Sequence, residues 1–243
     1  ESNFTESSVK SVNLGDTGIF YYEIEKGSYY TSGEYRFIVE GDVPAMIYSI
    51  PEGGRGWINH SGKGVTINAS NDVVTSNNGI GVTNAGSGSI TINATNLIHG
   101  GSGESTGDLD GIYAWNKGPE TKDVIINVSE VKGLDSAIHT INNGSGNIII
   151  ESSGVITAFN GNGIQAYNRG YDNKDINITA SGNLNVVEYG IDAVGSASGG
   201  TSIIVDTITN TKTNYNGQWG VHSFAYGQGQ TIVVSGDING FTG

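Results

Sequence analysis

No cysteine occurs anywhere in the 243 residues, so neither a disulfide nor a thiolate metal site holds this fold together. A eukaryotic secreted module of this size would more often carry bridges. No apolar run reaches the roughly 20 residues of a membrane-spanning helix, which predicts no membrane insertion by this chain. The sequence begins at Glu1 in polar residues without a signal-peptide pattern, so a mature or excised piece is expected. Cations are scarce. Eleven Lys plus Arg against 24 Asp plus Glu leave a net charge of −13, and no basic cluster appears along the chain. Phosphate backbones and anionic lipids are repelled by such a charge, and nucleic acid is not expected as a partner.

Glycine, by contrast, is abundant at 39 residues, and its placement is regular. Asn78-Gly79-Ile80, Asp110-Gly111-Ile112, Ser136-Ala137-Ile138, Asn162-Gly163-Ile164, Tyr189-Gly190-Ile191 and Trp219-Gly220-Val221 are copies of one phrase. The anchors Ile80, Ile112, Ile138, Ile164, Ile191 and Val221 are separated by 32, 26, 26, 27 and 30 residues. Periods in this range are the signature of a solenoid, whose long regular faces favour binding over catalysis.

Ten to twelve residues after each anchor comes an alternating stretch, such as Ser89-Ile90-Thr91-Ile92 or Asp175-Ile176-Asn177-Ile178. A period of two makes these strands with one buried face. A third short stretch follows in the better-formed units, as in Ser153-Gly154-Val155-Ile156. Three strands per coil, joined by glycine-rich turns and repeated in one direction, predict an all-β, right-handed parallel β-helix. Val65-Thr66-Ile67-Asn68-Ala69 fits an earlier, less regular coil. About seven coils at about 4.8 Å each make a body about 34 Å long.

The solenoid is assigned to residues 45–243. Residues 1–44 lack the repeat and carry Phe20, Tyr21, Tyr22, Tyr29, Tyr30, Tyr35 and Phe37, which suits an N-terminal cap over the open end of the helix. Phe241-Thr242-Gly243 shows no cap, predicting that the natural chain continues. Four positions after the anchor stand Asn84, Asn116, Asn142 and Asn168, the pattern of an asparagine ladder. Stacked amides can donate and accept along the axis, and asparagine tolerates a left-handed corner.

If the anchors point inward, the first and third positions after them point outward. The first reads Gly81, Tyr113, His139, Gln165, Asp192 and His222; the third reads Thr83, Trp115, Ile141, Tyr167, Val194 and Phe224. This strip suits a receptor or glycan surface, and Tyr113, Trp115, Ile141, Tyr167 and Phe224 are the candidate receptor-binding residues, since flat outer aromatics supply interface hot spots. The competing reading has the loops 100–109 and 207–218 folding over them. His139 and His222 stand three coils apart and cannot share a metal, while His60 and His99 are expected in loops without ligand spacing. Neither a metal nor a cofactor is expected. Asp192 and His222, in adjacent coils, can pair.

A polysaccharide-active enzyme is the reading from another class, with Asp108, Asp110 and Asp135 as acid/base candidates at one edge. Glycine-rich turns attract aspartate in any case, and the scattered Arg36, Arg55 and Arg169 do not form the cationic groove a polyuronate requires. Gly15-Asp16-Thr17-Gly18 lacks the serine nucleophile of a Gly-Asp-Ser-Gly motif. Enzymatic function is therefore not expected.

Gly163-Ile-Gln-Ala-Tyr-Asn-Arg-Gly170 followed by Asp175-Ile-Asn-Ile-Thr-Ala-Ser-Gly182, and Gly111-Ile-Tyr-Ala-Trp-Asn-Lys-Gly118 followed by Val124-Ile-Ile-Asn-Val128, resemble passenger repeats of bacterial type V autotransporters. The resemblance spans about residues 62–240 and is specific for architecture rather than activity. It implies export through a C-terminal outer-membrane β-barrel, with the passenger secreted or displayed on the cell surface. In size, acidity and flavour the repeats are most similar to Bartonella autotransporters, among which is a secreted angiogenic factor. Membership there implies a virulence ligand of vascular endothelial growth factor receptor 2 that drives endothelial proliferation. An adhesin for host cells or matrix, using the same outer strip, is the direct competitor.

Overall fold

The computed structural model describes residues 10–13, 19–22, 34–39, 46–49, 55–60, 64–69, 72–74, 78–103, 109–170, 174–195, 199–212, 218–227 and 229–241, with backbone alone up to residue 60. The chain folds as a parallel β-helix of about six turns. Three ladders run its length. The first stacks Glu34–Val39, Arg55–His60, Ile80–Asn84, Ile112–Asn116, Ile138–Asn142, Ile164–Asn168, Ile191–Gly195 and Val221–Ala225 into an eight-stranded sheet. The second continues through Ile148–Ser152, Ile176–Ala180, Thr201–Val205 and Gln230–Val234, and the third through Ile156–Ala158, Leu184–Val186, Ile208–Asn210 and Ile238–Asn239. Two long strands, Gly88–His99 and Thr121–Gly133, run unbroken from the second ladder into the third. Their pairing shifts register between Val128 and Glu130, where the second ladder passes into the third, and they join both ladders into one 13-stranded sheet.

Register follows the repeat residue for residue. Ile80 pairs with Ile112, Ile112 with Ile138, Ile138 with Ile164, Ile164 with Ile191 and Ile191 with Val221. The five isoleucines are fully buried, as are Ile92, Ile126, Ile150 and Ile203 of the second ladder and Ile98, Val131, Ile156, Leu184 and Ile208 of the third. The second ladder contributes a further column through Ile90, Val124, Ile148 and Ile176, so the core is thin and each coil is covered only by its neighbours. Ile232, in register with Ile203 in the last described coil, is 45% exposed because a neighbour stacks on one side of it alone.

Most of the proposed cap, 1–44, lies outside the described residues, including Tyr29 and Tyr30. Within it Lys10–Asn13 pairs antiparallel with Ile19–Tyr22, and Glu34–Val39 joins the first ladder in parallel with Arg55–His60. His60 and His99 end strands rather than occupying loops.

The glycines that precede the anchors are not left-handed corners. Among the described residues, positive φ occurs only at Gly88, Gly101, Gly103 and Gly240, and at no asparagine. What the anchor glycines permit is close stacking of coils: a Cβ on Gly163 would stand 2.5 Å from the Gly190 carbonyl oxygen, and one on Gly111 would stand 2.6 Å from that of Ala137. The amides of Ile164 and Ile112 donate to those same carbonyls at 3.0 and 2.9 Å, which draws the turns together.

Candidate functional site

Asn84, Asn116, Asn142 and Asn168 stack in register and point inward, each at most 1% exposed. Their amides do not bond to one another. Asn142 Nδ2 donates to Gly146 O of its own turn at 2.9 Å and to Lys122 O of the preceding coil at 3.1 Å; Asn168 Nδ2 bridges Lys174 O and Gly146 O in the same way, both at 3.1 Å. An inward asparagine meets buried turn carbonyls that need donors, and these outcompete a neighbouring amide. Amide-to-amide bonding occurs instead on the outside of the second ladder, where Asn93 donates to Asn68 at 3.0 Å and Asn127 to Asn93 at 2.9 Å. Identical offsets in the three strand phrases were the available signal for that row.

The outer face of the first ladder carries the five candidate residues in two adjacent columns. Trp115, Ile141, Tyr167, Val194 and Phe224 form one unbroken register; Tyr113, His139, Gln165, Asp192 and His222 form the other. Tyr113, Trp115, Ile141 and Tyr167 are half-buried, and Phe224 is exposed. Gly81 and Thr83, also expected outward, are buried, because small side chains beside Tyr113 and Trp115 lie below the level of their neighbours.

Ring packing accounts for much of the half-burial. His139 sits edge-on between Tyr113 and Tyr167, with centroids 5.2 and 6.0 Å away, and its Nδ1 lies 3.5 Å from Asp110 Oδ2. Lys117 Nζ stands 4.3 Å from the Trp115 ring centroid, and Arg169 Cζ 5.1 Å from that of Tyr167. The covering loops considered above include 104–108 and 213–217, which lie outside the described residues.

Asp192 and His222 do pair, with His222 Nδ1 2.7 Å from Asp192 Oδ1. They are not alone. The Tyr167 hydroxyl donates to Asp192 Oδ2 at 2.5 Å, so one carboxylate only 9% exposed ties three coils together. Trp219 packs edge-on against His222 at 5.2 Å, and Tyr189 lies 5.8 Å from the same ring. Outward reading of the first and third positions missed Tyr189, Trp219 and the exposed Tyr226; the first two stand two residues before an anchor, and Tyr226 five after one.

Burial first, then the hydrogen bond and charge of Asp192, hold the Tyr167 phenol well above its ordinary range, with Arg169 opposing. Burial and then Asp110 raise Tyr113 in the same sense. An unfolded tyrosine ionises near pH 10. Where the native state keeps a proton that the unfolded state loses, stability falls with rising pH. Urea-unfolding free energies are therefore expected to hold below about pH 10 and decline above it, with a shallower decline for Tyr167→Phe. Equal slopes for parent and variant would refute the assignment.

Of the acid/base candidates, Asp108 lies outside the described residues. Asp110 is buried and serves the fold: its Oδ1 accepts the Ser136 amide at 3.2 Å, and its own amide donates to Asn78 Oδ1 at 2.7 Å. His99 is displaced below its ordinary value by burial and then by Lys132, against Glu130, and lies 5.8 Å from the Phe159 ring. Among the described residues no three metal-binding side chains converge. No family model, curated protein or solved structure matches this chain.

Proposed function

We propose that this protein is an extracellular ligand of the autotransporter-passenger type, which presents the outer face of its first ladder to a receptor protein on host cells. Vascular endothelial growth factor receptor 2 is the first receptor to test, on the resemblance of the repeat phrases. The observation that carries the binding reading is the unbroken column Trp115, Ile141, Tyr167, Val194 and Phe224, widened at one end by Trp219 and Tyr226. Rigid strands hold these rings with little freedom left to lose on binding, which favours affinity.

The test is phosphorylation of receptor 2 in endothelial cells treated with purified, endotoxin-free protein, with heat-denatured protein as control. Folded protein alone is expected to act, in proportion to dose. Trp115→Ala and Phe224→Ala are each expected to weaken binding about 30-fold, the loss of a hot spot of about 2 kcal/mol. Folded variants that bind like the parent would exclude this face. Cell binding only by bead-bound, multivalent protein would indicate an adhesin instead.

A further inference from the structure

The sequence has no basic run and the chain is acidic, yet the fold brings four of its 11 Lys and Arg residues to one corner. Lys117 stands on the turn from the first ladder to the second and Lys122 is the second residue of the strand that follows it; Arg169 and Lys174 stand between the corresponding strands two coils on. Two steps of about 4.8 Å separate these turns by about 10 Å. The turn between them, Asn143-Gly144-Ser145-Gly146-Asn147, is uncharged, and Lys122 Nζ reaches across to donate to Ser145 Oγ at 3.3 Å. All four cations are exposed.

The carboxylates beside these turns, the half-buried Asp123 and the exposed Asp175, each accept a backbone amide of the next coil. Asp123 Oδ1 accepts the Asn147 amide at 2.7 Å, Asn147 Oδ1 accepts the Asp175 amide at 2.9 Å, and Asp175 Oδ1 accepts the Gly200 amide at 2.8 Å. These bonds form a row that caps successive turns. The exposed Glu120 is the remaining acid of the corner among the described residues, and Asp172 lies outside them. No ion pair among the described residues includes Lys117, Lys122, Arg169 or Lys174. Two of these cations are also held in place, Lys117 over Trp115 and Arg169 over Tyr167, so less freedom is lost when they meet an anion.

We propose that this corner binds an anionic polysaccharide, an extended sugar chain bearing sulfate or carboxylate groups, laid along the solenoid axis across the three turns. Cations at the flanking turns meet its anionic groups, and the Ser145 hydroxyl and the side-chain amides of Asn143 and Asn147 meet its sugar hydroxyls. Single-stranded nucleic acid fits less well, because base stacking requires aromatic faces and the described residues of these three turns include no aromatic ring. A membrane surface also fits less well, since the described residues of the corner offer no large apolar side chain to insert. The site stands on residues distinct from the five receptor-binding candidates and does not depend on that reading.

The test is calorimetric titration of the whole folded chain with a heparin-derived oligosaccharide at low salt, repeated at rising salt. Saturable binding that weakens with salt is expected. The double variant Lys117→Gln and Arg169→Gln should lose about tenfold in affinity, from two charge-assisted contacts, with its melting profile unchanged. Lys132→Gln, which alters a cation already paired with Glu130 at 2.7 Å, should bind like the parent. Absence of binding at low salt, equal binding of uncharged dextran, an unaffected double variant, or tighter binding of single-stranded DNA would each overturn the proposal.

Discussion

Ile164→Ala is expected to lower the unfolding free energy by about 2–5 kcal/mol, the range for removing a buried isoleucine when its surroundings cannot collapse. Ile164 is fully buried in the anchor column, in register with Ile138 on one side and Ile191 on the other. Collapse is prevented by the ladders themselves, which fix the coil spacing through backbone bonds such as Ile164 N–H to Gly190 O at 3.0 Å. Because each coil rests only on its neighbours, the loss reaches the coils on both sides. Urea unfolding followed by circular dichroism measures it. Ile204→Ala, on the outer face and 45% exposed, is the control and should shift stability by no more than about 0.5 kcal/mol. If the two variants unfold alike, the inward assignment of the anchors is wrong.

Gly163→Val is expected to cost about 3 kcal/mol by overpacking. A Cβ there would stand 2.5 Å from Gly190 O and 2.9 Å from Val186 Cγ1, and Gly190 is backbone-bonded to the coils on both sides, to Ile164 N–H and Trp219 O. Ala137, buried at the equivalent position one coil earlier, shows that the fold accommodates a methyl at that place, so valine is the more decisive substitution. Gly229→Ala provides the contrast, since a Cβ there would meet nothing within 4 Å, and should be nearly neutral. Differential scanning calorimetry of the three proteins separates the outcomes. A Gly163→Val protein that melts with the parent would show that coil approach does not require glycine at this position.

The β-helix was legible because its cause repeats. An inward position demands an aliphatic residue in every coil, so Ile80, Ile112, Ile138, Ile164 and Ile191 recur at a readable period, and the alternation of Ile176, Asn177 and Ile178 shows which side is buried. The outward columns followed from the same alternation, which is why Tyr113, Trp115, Ile141, Tyr167 and Phe224 stand on one face. The partners of polar groups were not legible in this way. That Asn142 would bond to the carbonyls of Lys122 and Gly146, rather than to Asn116 or Asn168, depends on turn geometry, which has no sequence period. The same holds for Gly163, whose lack of a side chain reads equally well as a left-handed corner or as room for the next coil.

The sequence by itself therefore determined the repeat, the inward columns, the outward face and the overall negative charge, since each follows from residue type at a fixed spacing. The Asp192–His222 pair also followed from adjacent coils, but only the tertiary structure decided that the Tyr167 hydroxyl joins it and that the cations gather. Stacking at a coil spacing of about 4.8 Å turns separations of 25 to 30 residues into direct contact, joining Tyr167, Asp192 and His222 through one carboxylate. It also gathers Lys117, Lys122, Arg169 and Lys174 at one corner of an acidic protein, because the axial neighbour of a residue is set by the coil and not by the chain.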